Sequence, residues 1–323
     1  PDTLTVTLLT ASLNHRDIFL RQNLYPGGGY NIPLGADGCG IVTSPPSSPF
    51  YNKRVIIQPG KNWDSDLAGP EGPQGPKDSK DPSGGKYAIL GGTKPYPSGT
   101  LSTHLSLPEH DLVLAPPHLS DPESAALPLT GLTAYRAVFT KGCITPNSTV
   151  LVTGIGGGVA IMALLFAVAV GARVYVTSSD EGKIARAVEL GAKGGVNYKH
   201  PKWEGELGVL VGGEVDVVVD GAGGDIASRA GRVLKQGGII VSYGMTTGPQ
   251  MSFPMSAVLK NIELRGSTMG SRREFREMVE FVNQHKIKPV VSRVVEGLEV
   301  ETVERLFDDM KNGKQFGKLV VRI

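Results

Sequence analysis

The stretch Ser148–Asp180, STVLVTGIGGGVAIMALLFAVAVGARVYVTSSD, limits the possible folds more than any other part of the chain. It opens on Thr149 to Thr153, a compact β-branched and leucine run suited to a strand buried on both faces. Four glycines follow: Gly154, Gly156, Gly157 and Gly158. Val159 to Val170 then gives about three turns of alanine-rich apolar sequence, enough for a buried helix and too short to cross a bilayer. Gly171 closes that helix, and Arg173 to Thr177 predicts a second, parallel strand. Glycines at such a turn let the backbone curve tightly and approach a ligand closely. The helix behind them offers first-turn N–H groups and the positive end of its dipole to an anion. Strand, turn, helix and strand together predict a dinucleotide cradle, with Gly154, Gly156, Gly157, Gly158 and Val159 against the pyrophosphate. The competing reading is an ordinary glycine-rich turn in another α/β protein.

At 323 residues the chain has room for two domains with full cores. A net charge of +2 gives no reason to expect nucleic acid or an anionic membrane as partner. The two cysteines, Cys39 and Cys143, exclude a disulfide framework and a four-cysteine zinc lobe, and point to a reducing, cytoplasmic setting. No signal-peptide core and no long apolar run is visible, so no membrane association is expected. The chain opens directly in the alternation Leu4-Thr5-Val6-Thr7-Leu8, from which we expect native sequence ahead of Pro1.

Taken in order, residues 3–13 predict a strand, 18–23 a short helix, and 33–42 a loop entering another strand. A strand at 54–58 precedes a long surface loop over 59–85, and short strands return at 100–107 and 111–115. Ser120-Asp121-Pro122-Glu123 starts a helix that runs to Phe139 with an interruption at Pro128. Strands at 149–153, 173–177, 215–219, 238–242 and 261–265 then alternate with helices at 157–170, 181–190, 225–235 and 255–260. That alternation predicts an α/β fold with a doubly wound parallel sheet. An amphipathic helix follows at 271–285, and 289–323 returns to short strands around a helix at 301–312. The expected division is a sheet domain at 123–268 and a β-rich domain assembled from 1–122 and 269–323.

Several segments carry a resemblance: NHRD at 14–17, GADGCGIV at 35–42, LPLTGLTAYRA at 127–137, VLVTGIGGGVA at 150–160 and VTSSDEGKIARAVELGA at 176–192. VDVVVDGAGG at 215–224, GGIIVSYG at 237–244 and LRGSTMGS at 264–271 complete it. In this order they resemble the medium-chain dehydrogenase/reductase superfamily along essentially the whole chain. The nearest likeness is to its zinc-free branch, the quinone-oxidoreductase-like and enoyl-reductase-like proteins. The resemblance implies a Rossmann domain, a GroES-like catalytic domain, and a homodimer joined through the edge strand Ile262–Gly266. Zinc members carry Cys at the position of Asn14, His at that of Ala36 and Cys at that of Leu129. None of the three residues here supplies a thiolate or imidazole, so the resemblance implies no catalytic zinc. Without a Lewis acid on a carbonyl, an electron-poor alkene or quinone is the more natural hydride acceptor. Two alternatives stand beside this one: an acyl-type enoyl reductase of fatty-acid or polyketide metabolism, and a non-catalytic NADPH-binding redox sensor.

The cofactor reading turns on the end of the second strand. An Asp or Glu there usually accepts from the ribose 2′-OH of NAD, whereas this chain places Ser178 and Ser179. Hydroxyls can donate to a 2′-phosphate, Lys183 can neutralise it, and Tyr198 matches the tyrosine that NADPH-dependent relatives use. NADPH is therefore expected, with Asp180 pulling towards NADH. Strand ends bring Gly221, Ala222, Gly244 and Met245 to the ligand crevice. The resemblance adds Thr268 and Met269, where relatives hold the carboxamide, and Thr130 near the pyrophosphate or ribose. For catalysis it implies Tyr25 as proton donor or oxyanion partner, and Asn14 as a hydrogen-bonding group for substrate or ribose. Solvent as the proton source stays open.

Overall fold

The computed structural model describes residues 3–72, 81–248 and 250–323, so part of the loop expected over 59–85 lies outside the described residues. The chain divides into two compact units, Pro1–Leu132 with Gly270–Ile323, and Thr133–Met269.

The second unit holds a six-stranded sheet, all parallel. Its spatial order is Gly194–Asn197, Arg173–Ser178, Thr149–Val152, Val215–Asp220, Leu234–Ser242, Glu263–Gly266. Numbered along the chain this is 3-2-1-4-5-6, the dinucleotide-binding order, and it reverses between Thr149–Val152 and Val215–Asp220. All four residues of Thr149–Val152 are buried, as helices on both faces of a parallel sheet require. Leu151, Val218 and Ile240 of the sheet pack with Trp203 and Leu207 in one apolar cluster. The helix Trp203–Val211 and the edge strand Gly194–Asn197 are additions to the expected elements. The helix expected over 225–235 stops at Ala230, because Val233 and Leu234 are drawn into the core and start the next strand early. A register irregularity between Val215 and Val217 absorbs that early start.

The first unit is built on a seven-stranded sheet. Its order is Val291–Glu296, Lys318–Arg322, Thr3–Ser12, Asp37–Ser44, Arg54–Ile57, Leu112–Leu114, with His104–Pro108 also paired to Thr3–Ser12. Thr3–Ser12 is the organising strand. Leu4, Val6 and Leu8 point inward with period two, and pack with Val55 and Ile57. Its first half pairs with His104–Pro108 and its second half with Lys318–Arg322, so a late strand completes an early one.

Two expectations are corrected here. The helix Asp121–Ala126 belongs to the first unit, which moves the boundary from 122 to Leu132. Thr10 Oγ1 donates to the Asp121 carbonyl at 2.8 Å, and the Arg54 guanidinium pairs with the Asp121 carboxylate at 2.9 Å. The segment at 59–85 is also more than a surface loop among its described residues. Gly60–Lys61 pairs with Ala88–Ile89, Trp63 is buried, and Asp81 accepts from Lys61 Nζ at 2.7 Å and from Ser83 and Gly85.

Candidate active site

In the first unit, Asn14 stands between the strand Thr3–Ser12 and the helix His15–Arg21. The helix start is closed by Asp17, whose carboxylate accepts the Asn14 N–H at 2.8 Å. Asn14 and Asp17 form a capping box at this helix start, and the Asn14 side chain is hydrogen-bonded beyond it as well. Its Oδ1 accepts from Lys318 Nζ at 2.6 Å and its Nδ2 donates to Asp37 Oδ2 at 2.8 Å. Lys318 also donates to that Asp37 oxygen at 2.8 Å and to the Leu13 carbonyl at 2.8 Å. The second Asp37 oxygen accepts the Leu129 N–H at 2.7 Å, and Thr100 Oγ1 donates to the Asp37 carbonyl at 2.7 Å. Lys318 and Asp37 are both buried, so this is an interior ion pair whose donors are all met.

The residues around it do not fit a zinc ion. Asn14 offers a carboxamide already bonded on both ends, Ala36 a methyl group and Leu129 an isobutyl group, all buried. Cys39 is close in sequence, but burial pushes its thiol up to about 12, so it stays protonated. His15 is exposed and packs edge-on against Phe19 at 5.0 Å.

Tyr25 is half-buried, with the Arg16 guanidinium 4.9 Å from its ring centroid. Arg16 is held beneath it by the carbonyls of Leu90 and Gly91 at 2.8 and 3.0 Å. Thr130 is buried and its hydroxyl donates at 2.9 Å to the carbonyl of Ala126, the last residue of the preceding helix Asp121–Ala126. Only its oxygen lone pairs are left for a ligand.

In the second unit the glycine turn is tied to the neighbouring strand. Gly154 N–H donates to Thr177 Oγ1 at 3.2 Å, and Ile155 N–H to the Thr177 carbonyl at 2.8 Å. Gly154 and Gly156 have φ of 62° and 123°, which side chains rarely adopt. Space above Gly154 is open, whereas a Cβ on Gly156 would stand 3.0 Å from Lys183 Cδ and 3.4 Å from its Nζ. Lys183 thus lies across the turn. Gly157 caps the helix Gly158–Ala169, whose first-turn N–H groups, including that of Val159, have no partner inside the helix.

Ser178 ends the second strand, buried, and its Oγ accepts the Asp180 N–H at 3.1 Å. Asp180 is committed to the next helix: its carboxylate accepts the N–H groups of Gly182 at 2.8 Å and Lys183 at 3.3 Å. Tyr198 N–H donates to the Ser178 carbonyl at 3.0 Å, and Asn197 Nδ2 reaches the Ser179 carbonyl at 3.4 Å. Ser178, Ser179, Lys183 and Tyr198 are therefore brought to one corner.

Across the reversal point of the sheet, Asp220 joins two turns. It accepts from Thr153 Oγ1 at 2.5 Å and from the N–H groups of Ala222 at 3.3 Å and Gly223 at 2.8 Å. Burial pushes its carboxyl upward, and these three donors oppose that. The turn Gly221-Ala222 is in turn bonded to Thr246 and Thr247, which carries Gly244 and Met245 beside it. Thr268 is exposed, while Met269 is buried with its sulfur 3.7 Å from Thr133 Oγ1.

Sequence reasoning missed Asp37, Lys318, Asp220 and Thr153 as site-building groups. Three of them left a trace: an acid among small residues in GADGCG, a lysine leading an apolar run in KLVV, and an acid closing VDVVVD.

Known proteins resemble this chain along its whole length. A family model described as zinc-binding dehydrogenase matches residues 158–284. A zinc-type alcohol dehydrogenase-like protein, YogA, of Leptosphaeria maculans is 49% identical over 100% of this chain and 91% of its own. An acryloyl-coenzyme A reductase of Metallosphaera sedula is 27% identical over 96% of this chain and 89% of its own. A solved NAD-dependent alcohol dehydrogenase superposes with a TM-score of 0.87 at 34% identity, covering 100% of this chain and 92% of that one.

Proposed function

Starting from the fact that this chain belongs to the medium-chain dehydrogenase/reductase superfamily and is an oxidoreductase of that kind, we propose that it is a zinc-independent, NADPH-dependent reductase of electron-poor alkenes or quinones. The observation that carries the proposal is the cluster of Asn14, Asp37 and Lys318, with Ala36 next to Asp37 in sequence and Leu129 bonded to it through its N–H. Asn14, Ala36 and Leu129 supply neither thiolate nor imidazole, and the Asp37 carboxylate is taken up by Lys318, Asn14 and Leu129, which argues against a zinc ion although relatives bear zinc-type names.

NADPH, when bound, supplies the hydride. The chain's own residues do the rest. Gly154, Gly156, Gly157 and Gly158 leave room for a pyrophosphate, and the helix behind them favours its charge. Ser178, Ser179, Lys183 and Tyr198 receive the 2′-phosphate. Asp180 is turned onto a helix start, which supports NADPH although the solved relative named above is NAD-dependent. Gly221, Ala222, Gly244, Met245, Thr268 and Met269 line the strand ends on the nicotinamide side, with Thr130 towards the ribose. Asn14 donates to the acceptor oxygen, and Tyr25 is the candidate proton donor. Its hydroxyl has no partner among the described residues.

The test is NADPH consumption against small enones, enals, quinones and a crotonyl thioester, with metal content measured on the same sample. Turnover of the small acceptors without zinc is expected; one zinc per chain sinks the metal claim. Oxidation by the thioester alone would favour the acyl-type reductase. Tyr25→Phe with undiminished rate would remove Tyr25 from the mechanism.

The edge strand Glu263–Gly266 exposes Leu264, and the helix Met255–Leu259 beside it in sequence exposes Met255, Val258 and Leu259. We read this face as the seat of a second copy, extending the sheet. Light scattering should give twice the 34.1 kDa chain mass, and a Leu259→Glu variant the single mass. The free thiols Cys39 and Cys143, the latter exposed, support a cytoplasmic location.

A further inference from the structure

An ammonium only donates and a carboxylate only accepts, so the neighbours of the Asn14 carboxamide fix which way round it stands. Oδ1 must face Lys318 Nζ, at 2.6 Å, and Nδ2 must face Asp37 Oδ2, at 2.8 Å. Turned over, the amide would set NH₂ against an ammonium and oxygen against a carboxylate, where burial screens little. Lys318 spends its donors on Asn14, Asp37 and the Leu13 carbonyl, so it has none left for a substrate. One hydrogen remains. It is the second Nδ2–H of Asn14, which no described residue accepts. An amide whose oxygen accepts from an ammonium is polarised, and its N–H becomes a stronger donor.

We propose that Lys318 is a positioning residue which, with Asp37, holds and polarises Asn14 so that this Nδ2–H donates to the acceptor oxygen. The inference rests on the hydride-transfer reading above. As hydride reaches the far carbon of an enone, its π electrons move onto the oxygen, and a hydrogen bond there strengthens. Asn14 keeps its proton throughout. The proton that completes the product goes to carbon or oxygen from Tyr25 or solvent. An interior ammonium thus acts through one amide, where a metal enzyme would act directly.

Lys318→Met keeps much of the stem and removes the charge. With an enone, kcat should fall about 10–100-fold while KM for NADPH stays within about twofold. A readout independent of turnover is the Asn14 side-chain amide pair in ¹⁵N-resolved NMR, assigned by its loss in Asn14→Asp. In the wild-type protein the pair should be widely split, one proton moved downfield by Asp37. The other should shift when an unreactive carbonyl analogue joins the NADP⁺ complex. In Lys318→Met the second proton should move upfield and lose its response to the analogue, since the amide oxygen no longer accepts from an ammonium. A Lys318→Met enzyme with wild-type kcat overturns the proposal, even if its Tm is lower, and so does an unchanged amide pair. Should that variant fail to fold, the wild-type spectrum decides: an amide pair indifferent to the analogue overturns it. If the wild-type enzyme reduces none of the acceptors, the functional reading has failed, while the amide spectra still report whether Lys318 sets Asn14.

Discussion

Asp37→Ala is expected to lower stability by about 3–5 kcal/mol, the usual cost of stranding one member of a buried ion pair. Lys318 is almost wholly buried, and without Asp37 its charge would be left with two neutral oxygen acceptors. Leu129 would lose the acceptor of its N–H as well. The chain has two tryptophans, Trp63 in the first unit and Trp203 in the second. Urea unfolding followed by Trp63 emission in a Trp203→Phe background therefore reports the affected unit. Asp37→Leu with Lys318→Met should recover most of the loss, except about 1–3 kcal/mol for the stranded Leu129 N–H. A single variant no worse than the double would mean that the pair is not an interior charge pair.

Lys183→Ala should weaken NADPH binding about 10–100-fold and leave NADH within about twofold, since a charged hydrogen bond to phosphate contributes roughly 1.5–3 kcal/mol. The prediction follows from the corner that gathers Ser178, Ser179 and Tyr198 near a lysine lying over Gly156. Titration with both nucleotides separates the outcomes. Equal affinity of the wild-type protein for NADH and NADPH would sink the assignment, and so would a loss of both in the variant. Asp180→Ala should cost helix stability, through its capping bonds to Gly182 and Lys183, and not change the preference.

Reading the sequence found the parallel sheet because its inner strands are near-continuous apolar runs and its turns are marked by glycine. It missed Gly194–Asn197 because GGVN has a single apolar residue and takes its strand conformation from pairing with Tyr175–Ser178. It missed Trp203–Val211 because two glycines interrupt WEGELGVLV; the helix is held by Trp203, Leu207 and Val211 in the core. The glycine turn was legible because the φ values it needs restrict residue choice locally. The Asn14 cluster was not. Lys318 lies 281 residues from Asp37, and nothing near either position records that the two meet. Local chemistry writes itself into local sequence, while a long-range ion pair leaves only an out-of-place charge.

The pairing of Thr3–Ser12 with Lys318–Arg322 also sets an order of events during synthesis. The unit with the parallel sheet is one continuous segment, Thr133–Met269, and has all its strands once the ribosome has passed Met269. The other unit is made of two segments, and its early strand waits for Lys318 until the whole intervening segment has been made. Until then Asn14 and Asp37 face each other without their cation. The continuous unit can therefore mature on the ribosome, and the divided unit is completed only afterwards.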